Sequence, residues 1–135
     1  MASVQKIVLN CQELTEINMG DCLKDPDAID IFCQYISPKL QKINIGGNQV
    51  KDHHIRTFVN RCPKITHLYL HATPITDASV PVIVQSLYKT LVKLQLPYYI
   101  NFQALAALTY LPNLKYFWYR YVLRQVHIKY FTIKL

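Results

Sequence analysis

The stretch from Ile65 to Asp77, which reads ITHLYLHATPITD, sets the pattern for most of the chain. Apolar residues stand at its first, fourth and sixth positions, and a polar turn and an aspartate follow them. The same apolar pattern, LxxLxL in outline, has its first members at Leu14, Leu40, Ile65, Leu91 and Leu114. These positions are 26, 25, 26 and 23 residues apart, and such a period indicates stacked structural repeats.

A turn and the start of a helix follow each apolar pattern in the same phase. The turn position holds Cys22, Asn48, Thr73 and Tyr99. Small hydrogen-bonding side chains there satisfy backbone groups as the chain turns, so Tyr99 predicts an irregular fourth turn. The next polar position holds Asp25, Asp52, Asp77 and Asn101, each of which is predicted to cap a helix. Apolar residues at helical spacing follow each cap.

The period and the strand–turn–helix order predict an α/β fold, a leucine-rich-repeat solenoid of about five units. Its parallel sheet lies on the concave side and its helices on the convex side. Residues 1–119 form the solenoid, with strands near 16–19, 42–45, 67–70, 93–96 and 116–119. Residues 120–135 lack the repeat, and we expect an irregular C-terminal strand or hairpin that closes the sheet.

The Ile65–Asp77 stretch, together with Cys62-Pro63 before it, resembles the cysteine-containing leucine-rich repeats of F-box proteins. The resemblance covers roughly residues 5–119, and no segment of the chain reads as an F-box. It implies a module that recognises substrates for an F-box-type ubiquitin ligase, with a ligase scaffold as a partner if an F-box lies upstream. Similar repeats occur in mitochondrial assembly and coupling-factor proteins. An adaptor of that kind is the alternative to a ligase substrate-recognition module.

The net charge of +7 lies wholly in the second half of the chain. Residues 1–77 hold eight acidic residues and eight Lys/Arg, whereas residues 78–135 hold seven Lys/Arg and no acidic residue. The first residues do not form a secretory signal, and no apolar run is long enough to span a membrane. We therefore expect an intracellular protein with no membrane partner, located in the cytoplasm or nucleus, or alternatively in mitochondria.

Alternation along the strands identifies a candidate binding face. If Ile43, Leu68 and Leu94 point into the core, the residues on either side of them point away from it. The outward positions form two rows: Glu16, Lys42, His67, Lys93 and Tyr116, and beside them Asn18, Asn44, Tyr69, Gln95 and Trp118. We predict a protein-binding concave face made of Lys42, Asn44, His67, Tyr69, Lys93, Gln95, Tyr116 and Trp118. The partner is expected to be acidic or mixed in charge.

The sequence offers little that suggests catalysis or metal binding. The four cysteines form no CxxC pair, and Cys11, Cys33 and Cys62 are expected to pack inward as small apolar residues. His67 and His71 are separated by ~13 Å of strand, and the adjacent His53 and His54 are expected to diverge. We therefore predict no metal, no cofactor, no catalytic residue and no enzymatic activity.

The second half also suggests an alternative partner. It interleaves basic and aromatic residues, namely Tyr116, Trp118, Arg120, Tyr121, Arg124, Lys129 and Tyr130. Such a surface can bind single-stranded nucleic acid by stacking and charge. A structural explanation is favoured over nucleic-acid binding. In that explanation the aromatic residues close the solenoid and the charges keep it soluble. The sequence therefore predicts non-catalytic protein binding as the function.

Overall fold

The computed structural model describes residues 2–123 and 126–133, in which helices and strands alternate along the chain. The helices are α1 (Ala2–Asn10), α2 (Pro26–Tyr35), α3 (Asp52–Arg61), α4 (Ser79–Ser86) and α5 (Phe102–Leu105), with a 3-10 helix at Ala106–Tyr110. The strands are β1 (Glu16–Asn18), β2 (Lys42–Asn44), β3 (His67–Tyr69), β4 (Lys93–Leu96), β5 (Tyr116–Leu123) and β6 (Val126–Ile133). No helix among these residues is both long and apolar enough to cross a membrane.

The six strands form one sheet in chain order, with β1 to β5 parallel and β6 antiparallel to β5. The central residues of the parallel strands, Ile17, Ile43, Leu68, Leu94 and Phe117, are direct partners in the register. The last four of these are at most 1% exposed. Each unit therefore adds one apolar rung to a continuous core between the sheet and the helices, as the predicted leucine-rich-repeat-like α/β fold requires.

The C-terminal residues extend the sheet. β5 crosses the boundary predicted at residue 119 and continues to Leu123. β6 returns beside it, with pairs such as Trp118 with Thr132. The division of the chain into a solenoid and a separate closing segment stays a prediction, and residues 124–125 and 134–135 of that segment lie outside the described residues.

Two of the four predicted helix caps are wrong. Asp25 and Asn101 do cap their helices, since their side chains accept hydrogen bonds from the backbone N–H groups of Asp27 and Gln103. Asp52 is instead the first residue of α3, and its carboxylate accepts hydrogen bonds from Thr76 in the next unit. Asp77 likewise accepts from the backbone N–H of Asn101. These two aspartates join neighbouring units rather than cap their own helices.

The turn positions differ from one another. Asn48 is buried and bonds to the preceding unit at two points: its Oδ1 accepts from the Leu23 N–H at 2.9 Å, and its Nδ2 donates to the Met19 carbonyl at 2.8 Å. Thr73 is also buried and donates to the Leu70 carbonyl. Cys22 and Tyr99 are exposed instead, and the Tyr99 hydroxyl donates back to the Thr73 carbonyl. The ring of Tyr99 is too large for the inward position, so it lies on the surface.

Candidate protein-binding site

The predicted face is built by strand alternation and strand register. Lys42, His67, Lys93 and Tyr116 are successive partners across β2 to β5, and Asn44, Tyr69, Gln95 and Trp118 are successive partners two residues further on. Because the residues between the two rows are buried in the core, both rows lie on the opposite, concave surface. Neighbouring strands are ~4.8 Å apart, so each row is a continuous strip of side chains. The structure thus brings all eight predicted residues onto one surface.

Aromatic rings and a cation meet at the β4–β5 end of this surface. The rings of Tyr116 and Trp118 stack with their centroids 5.8 Å apart and their planes 13° from parallel. The ammonium nitrogen of Lys93 lies 4.9 Å from the Tyr116 centroid and 5.7 Å from that of Trp118. Both distances fall within the range of cation–π attraction. The result is a broad apolar surface with a positive charge fixed beside it.

Charged and titratable groups occupy the middle of the first row. Lys42 forms an ion pair with Glu16, with 3.3 Å between Nζ and Oε1. His67 lies between Lys42 and Lys93, and its Nδ1 is 2.8 Å from the Thr66 hydroxyl oxygen. Burial and the two lysines lower the pKa of His67 below its ordinary value, although Glu16 acts in the opposite direction. The imidazole is therefore mainly neutral at pH 7.

The asparagines of the second row are partly committed to local structure. The Asn44 Oδ1 accepts a hydrogen bond from the Gly46 N–H at 2.9 Å, and Asn18 makes the equivalent bond to Gly20 at 3.0 Å. These Asx turns hold both side chains at the strand ends. Asn44 therefore offers a partner less hydrogen-bonding capacity than an amide side chain that makes no local hydrogen bond.

Two concavities lie on opposite sides of the molecule. One, of about 400 Å³, lies on the concave face and is lined by Glu16, Ile17, Asn18, Lys42, Ile43, Asn44 and Tyr69. The other, of about 830 Å³, lies by α4 and the loop after it, and its apolar lining includes Pro63, Pro81, Val84, Tyr88 and Ala107. The predicted site omitted Glu16 and Asn18, although strand alternation placed them in the same rows. The sequence analysis also did not predict the apolar groove on the helical side, for which Pro81 and Tyr88 were a signal.

The prediction that the side chains of His53 and His54 diverge is wrong. Their ring centroids lie 3.9 Å apart. The side-chain atoms of Asp30, His53 and His54 that could bind a metal ion lie within 4.8 Å of one another. The Lys51 N–H donates to His54 Nδ1 at 2.9 Å, so the ring proton lies on Nε2, which donates to Asp30 at 2.7 Å. A cation would have to displace that proton at the positive end of α3. The geometry favours a structural hydrogen-bond network over a metal site.

The cysteines divide into two buried and two exposed residues. Burial raises the pKa of the Cys33 and Cys62 thiols to about 12, which leaves both protonated and poorly nucleophilic at neutral pH. Cys62 donates a hydrogen bond to the Ser37 carbonyl at 3.5 Å. Cys11 is exposed, so the expectation that it packs inward is wrong. Its position after the end of α1 leaves it outside the core.

Comparison with known proteins supports the fold. No protein-family model and no curated protein sequence matches the chain. Among solved structures, one described as "Leiomodin-1 Actin-Binding Site 2 (ABS2)" superposes with a TM-score of 0.68, covering 90% of this chain and 79% of that one. The superposition establishes a shared leucine-rich-repeat-like architecture. Because the two sequences are 20% identical, the similarity concerns the fold alone.

Proposed function

We propose that this chain is a non-catalytic module that binds another protein through the concave face of its sheet. The observation that carries the proposal is the stacked Tyr116–Trp118 pair with Lys93 beside it, at one end of two rows of outward side chains. Tyr and Trp are among the residues that most often dominate the energy of protein interfaces. Strand backbones hold them in fixed positions, which reduces the entropy lost on binding.

The charge of the face favours an acidic or mixed partner. Within the described residues Glu16 is the one acidic member of the two rows, and it pairs with Lys42. Lys93 contacts aromatic rings, and these do not neutralise its charge. An acidic segment would therefore be attracted to the β3–β5 end of the face.

The structural neighbour is consistent with a binding role in general. Its description names an actin-binding site, so in that protein this architecture accompanies protein binding. We carry over only the general point, namely that a short solenoid of this kind can present a surface to a protein partner. The identity of the partner of this chain does not follow from it.

A finer proposal is substrate recognition for an F-box-type ubiquitin ligase in the cytoplasm or nucleus. It rests on the resemblance of the Ile65–Asp77 stretch to the repeats of F-box proteins. An F-box encoded upstream in the complete transcript would support it. An adaptor resembling the mitochondrial assembly and coupling-factor proteins is the alternative, and a mitochondrial location of the tagged protein would favour it.

Exchange of two aromatic residues tests the binding face. We expect the Tyr69→Ala/Trp118→Ala double variant to lose its partner, because each truncation at an interface centre costs ~2 kcal/mol or more. The matched control, Arg56→Ala/Gln85→Ala, alters the helical side and should bind as the unchanged protein does. Quantitative mass spectrometry of cross-linked complexes isolated from cell extract measures how much partner each of the two double variants retains.

Tyr69 and Trp118 lie outside the buried core, so loss of the partner can be distinguished from loss of the fold. Circular dichroism melting should show that the concave double variant stays folded. Normal partner recovery with this variant, together with loss in the Arg56/Gln85 control, would contradict the proposal. Unfolding of the concave variant would mean that Trp118 stabilises the fold rather than the complex.

Single-stranded nucleic acid is a second candidate, since the near-parallel Tyr116 and Trp118 rings beside Lys93 could stack on a base. This mode predicts affinity that falls steeply as the salt concentration rises. Absence of oligonucleotide binding at low salt would exclude it.

A further inference from the structure

The first row of the concave face contains a group that can couple partner binding to pH. We infer that an acidic segment docking across Lys42 and Lys93 binds with the uptake of one proton by the His67 imidazole. This inference rests on the proposed function, because it concerns the same face and the same acidic partner. It adds a chemical requirement, which is that the partner presents a carboxylate at the centre of the row.

The position of His67 follows from the strand register. Lys42, His67 and Lys93 are direct partners across β2, β3 and β4, so three basic side chains stand side by side at intervals of ~4.8 Å. The side chain of His67 is half-buried in this row. A carboxylate bound between the lysines would therefore lie next to the imidazole.

The surroundings of His67 already fit its protonated form. The Nδ1 atom is 2.8 Å from the Thr66 hydroxyl oxygen, which is in turn 3.2 Å from the Gln41 carbonyl oxygen. When the ring is protonated, Nδ1–H donates to Thr66 and the Thr66 hydroxyl donates to Gln41. The Nε2–H then remains as a donor for a carboxylate of the partner, in a charge-assisted hydrogen bond.

Electrostatics oppose this protonated form in the free protein. Burial lowers the pKa of His67, and the charges of Lys42 on β2 and Lys93 on β4 lower it further. Glu16 on β1 is the group that raises it, but Glu16 is paired with Lys42. The imidazole of the free protein is thus mostly neutral at neutral pH, although its hydrogen-bond partners are in place.

An acidic segment reverses the balance of charges. Its carboxylates offset Lys42 and Lys93 and attract a proton to His67, so the pKa of His67 is higher in the complex than in the free protein. The complex then takes up a proton from solution as it forms. By linkage, affinity is greatest at low pH and declines as pH rises through the bound-state pKa of His67. Each unit by which binding raises the pKa changes the affinity by up to about tenfold.

A labelled peptide in which aspartates alternate with leucine and phenylalanine is a suitable probe. Its carboxylates stay ionised at about pH 6, well above the ordinary pKa of aspartate near 3.9. We expect fluorescence anisotropy to show about tenfold tighter binding at pH ~6 than at pH ~7.5. His67→Gln should bind with little pH dependence, whereas the matched control His53→Gln, on the helical side, should keep the dependence of the unchanged protein.

The outcomes separate this inference from the proposed function. Binding with equal affinity at both pH values, or a pH dependence that persists in His67→Gln, overturns proton uptake at His67 and leaves the acidic partner standing. Absence of peptide binding by the unchanged protein at either pH overturns both. The NMR titration of the His67 ring proton is an independent readout, and the expected result is a higher pKa with the peptide than without it.

Discussion

At the start of α3, the side chain of His54 joins two repeats. Its Nδ1 accepts a hydrogen bond from the Lys51 N–H, and its Nε2 donates to Asp30 on α2. The residue is 7% exposed, so these bonds satisfy polar atoms that would otherwise lack water. Burial lowers the pKa of His54, and the hydrogen bond to Asp30, which raises it, does not reverse the shift.

Loss of the His54 side chain should destabilise the chain in a pH-dependent way. We expect His54→Ala to lower the free energy of unfolding by about 1–2 kcal/mol at pH ~7.5, because a helix-start hydrogen bond and a buried contact are lost. Because the pKa of His54 is lowered in the folded state, its contribution to stability is fully present above the unfolded-state pKa of ~6.5. This contribution is lost as pH falls through the folded-state pKa. Urea denaturation at pH ~7.5 and pH ~5.5 should therefore show a smaller effect of the substitution in acid.

His53→Ala serves as the control for His54→Ala. His53 is exposed, and replacing it should change the free energy of unfolding by no more than about 0.5 kcal/mol. An equally large loss in both variants, or a loss in His54→Ala that grows in acid, would refute the role assigned to the His54 hydrogen bonds.

Adjacent residues show what the sequence could not specify. The sequence correctly placed His67, Tyr69 and Lys93 on one surface, because strand parity and repeat phase are periodic. It did not foresee that His54 turns back to its own helix start while the His53 ring lies against it. That arrangement depends on Asp30, 24 residues away and in another repeat, and no local pattern encodes the contact.

At the scale of the elements, polar bonds between neighbouring repeats hold the helices in register. Asp52 at the start of α3 accepts hydrogen bonds from the Thr76 N–H at 2.8 Å, from the Thr76 hydroxyl at 2.6 Å, and from the Ser79 hydroxyl. Burial raises the pKa of Asp52, but the bonds from Ser79 and Thr76 outweigh it, and the pKa lies below its ordinary value. The carboxylate therefore ties α3 to the beginning of α4.

Asp52→Ala should destabilise the junction between α3 and α4. Ser79 is 1% exposed, so its hydroxyl would lose a partner in a site with little access to water. We expect a loss of about 2 kcal/mol in urea denaturation at neutral pH. Because the pKa of Asp52 is lowered, its contribution is present above the unfolded-state pKa and disappears as pH falls through the folded-state value.

Asp77 provides the matched comparison one repeat later. It is exposed and accepts one hydrogen bond from the Asn101 N–H, so Asp77→Ala should cost less than about 1 kcal/mol. Equal losses for the two aspartates would contradict the assignment of Asp52 as the stronger link between repeats.

A second set of bonds between repeats runs along the helix-to-strand returns. The Ser37 hydroxyl donates to the Gln12 carbonyl at 2.8 Å, and the Cys62 thiol donates to the Ser37 carbonyl. Each donor and acceptor lie 25 residues apart, which is close to the spacing of 26 and 25 residues between the first three repeats. The period could be read from the sequence, whereas the partners of these side chains become clear only when the repeats are stacked.

For the whole molecule, the central question is which of its two faces binds the partner. The concave face carries the aromatic pair and the two rows of side chains, and the helical side carries the apolar groove near Pro81 and Tyr88. The groove is the larger cavity, but the concave face adds fixed charge and stacked rings to its apolar area. We therefore assign the partner to the concave face.

Site-specific photo-cross-linking in cells tests this assignment most directly. A photoreactive amino acid is placed either at Gln95, on the concave β4 strand, or at Gln85, which lines the helical groove. We expect a discrete cross-linked protein from position 95 that is lost when Trp118→Ala is added, and none from position 85. A discrete product from position 85 with none from position 95 would contradict it.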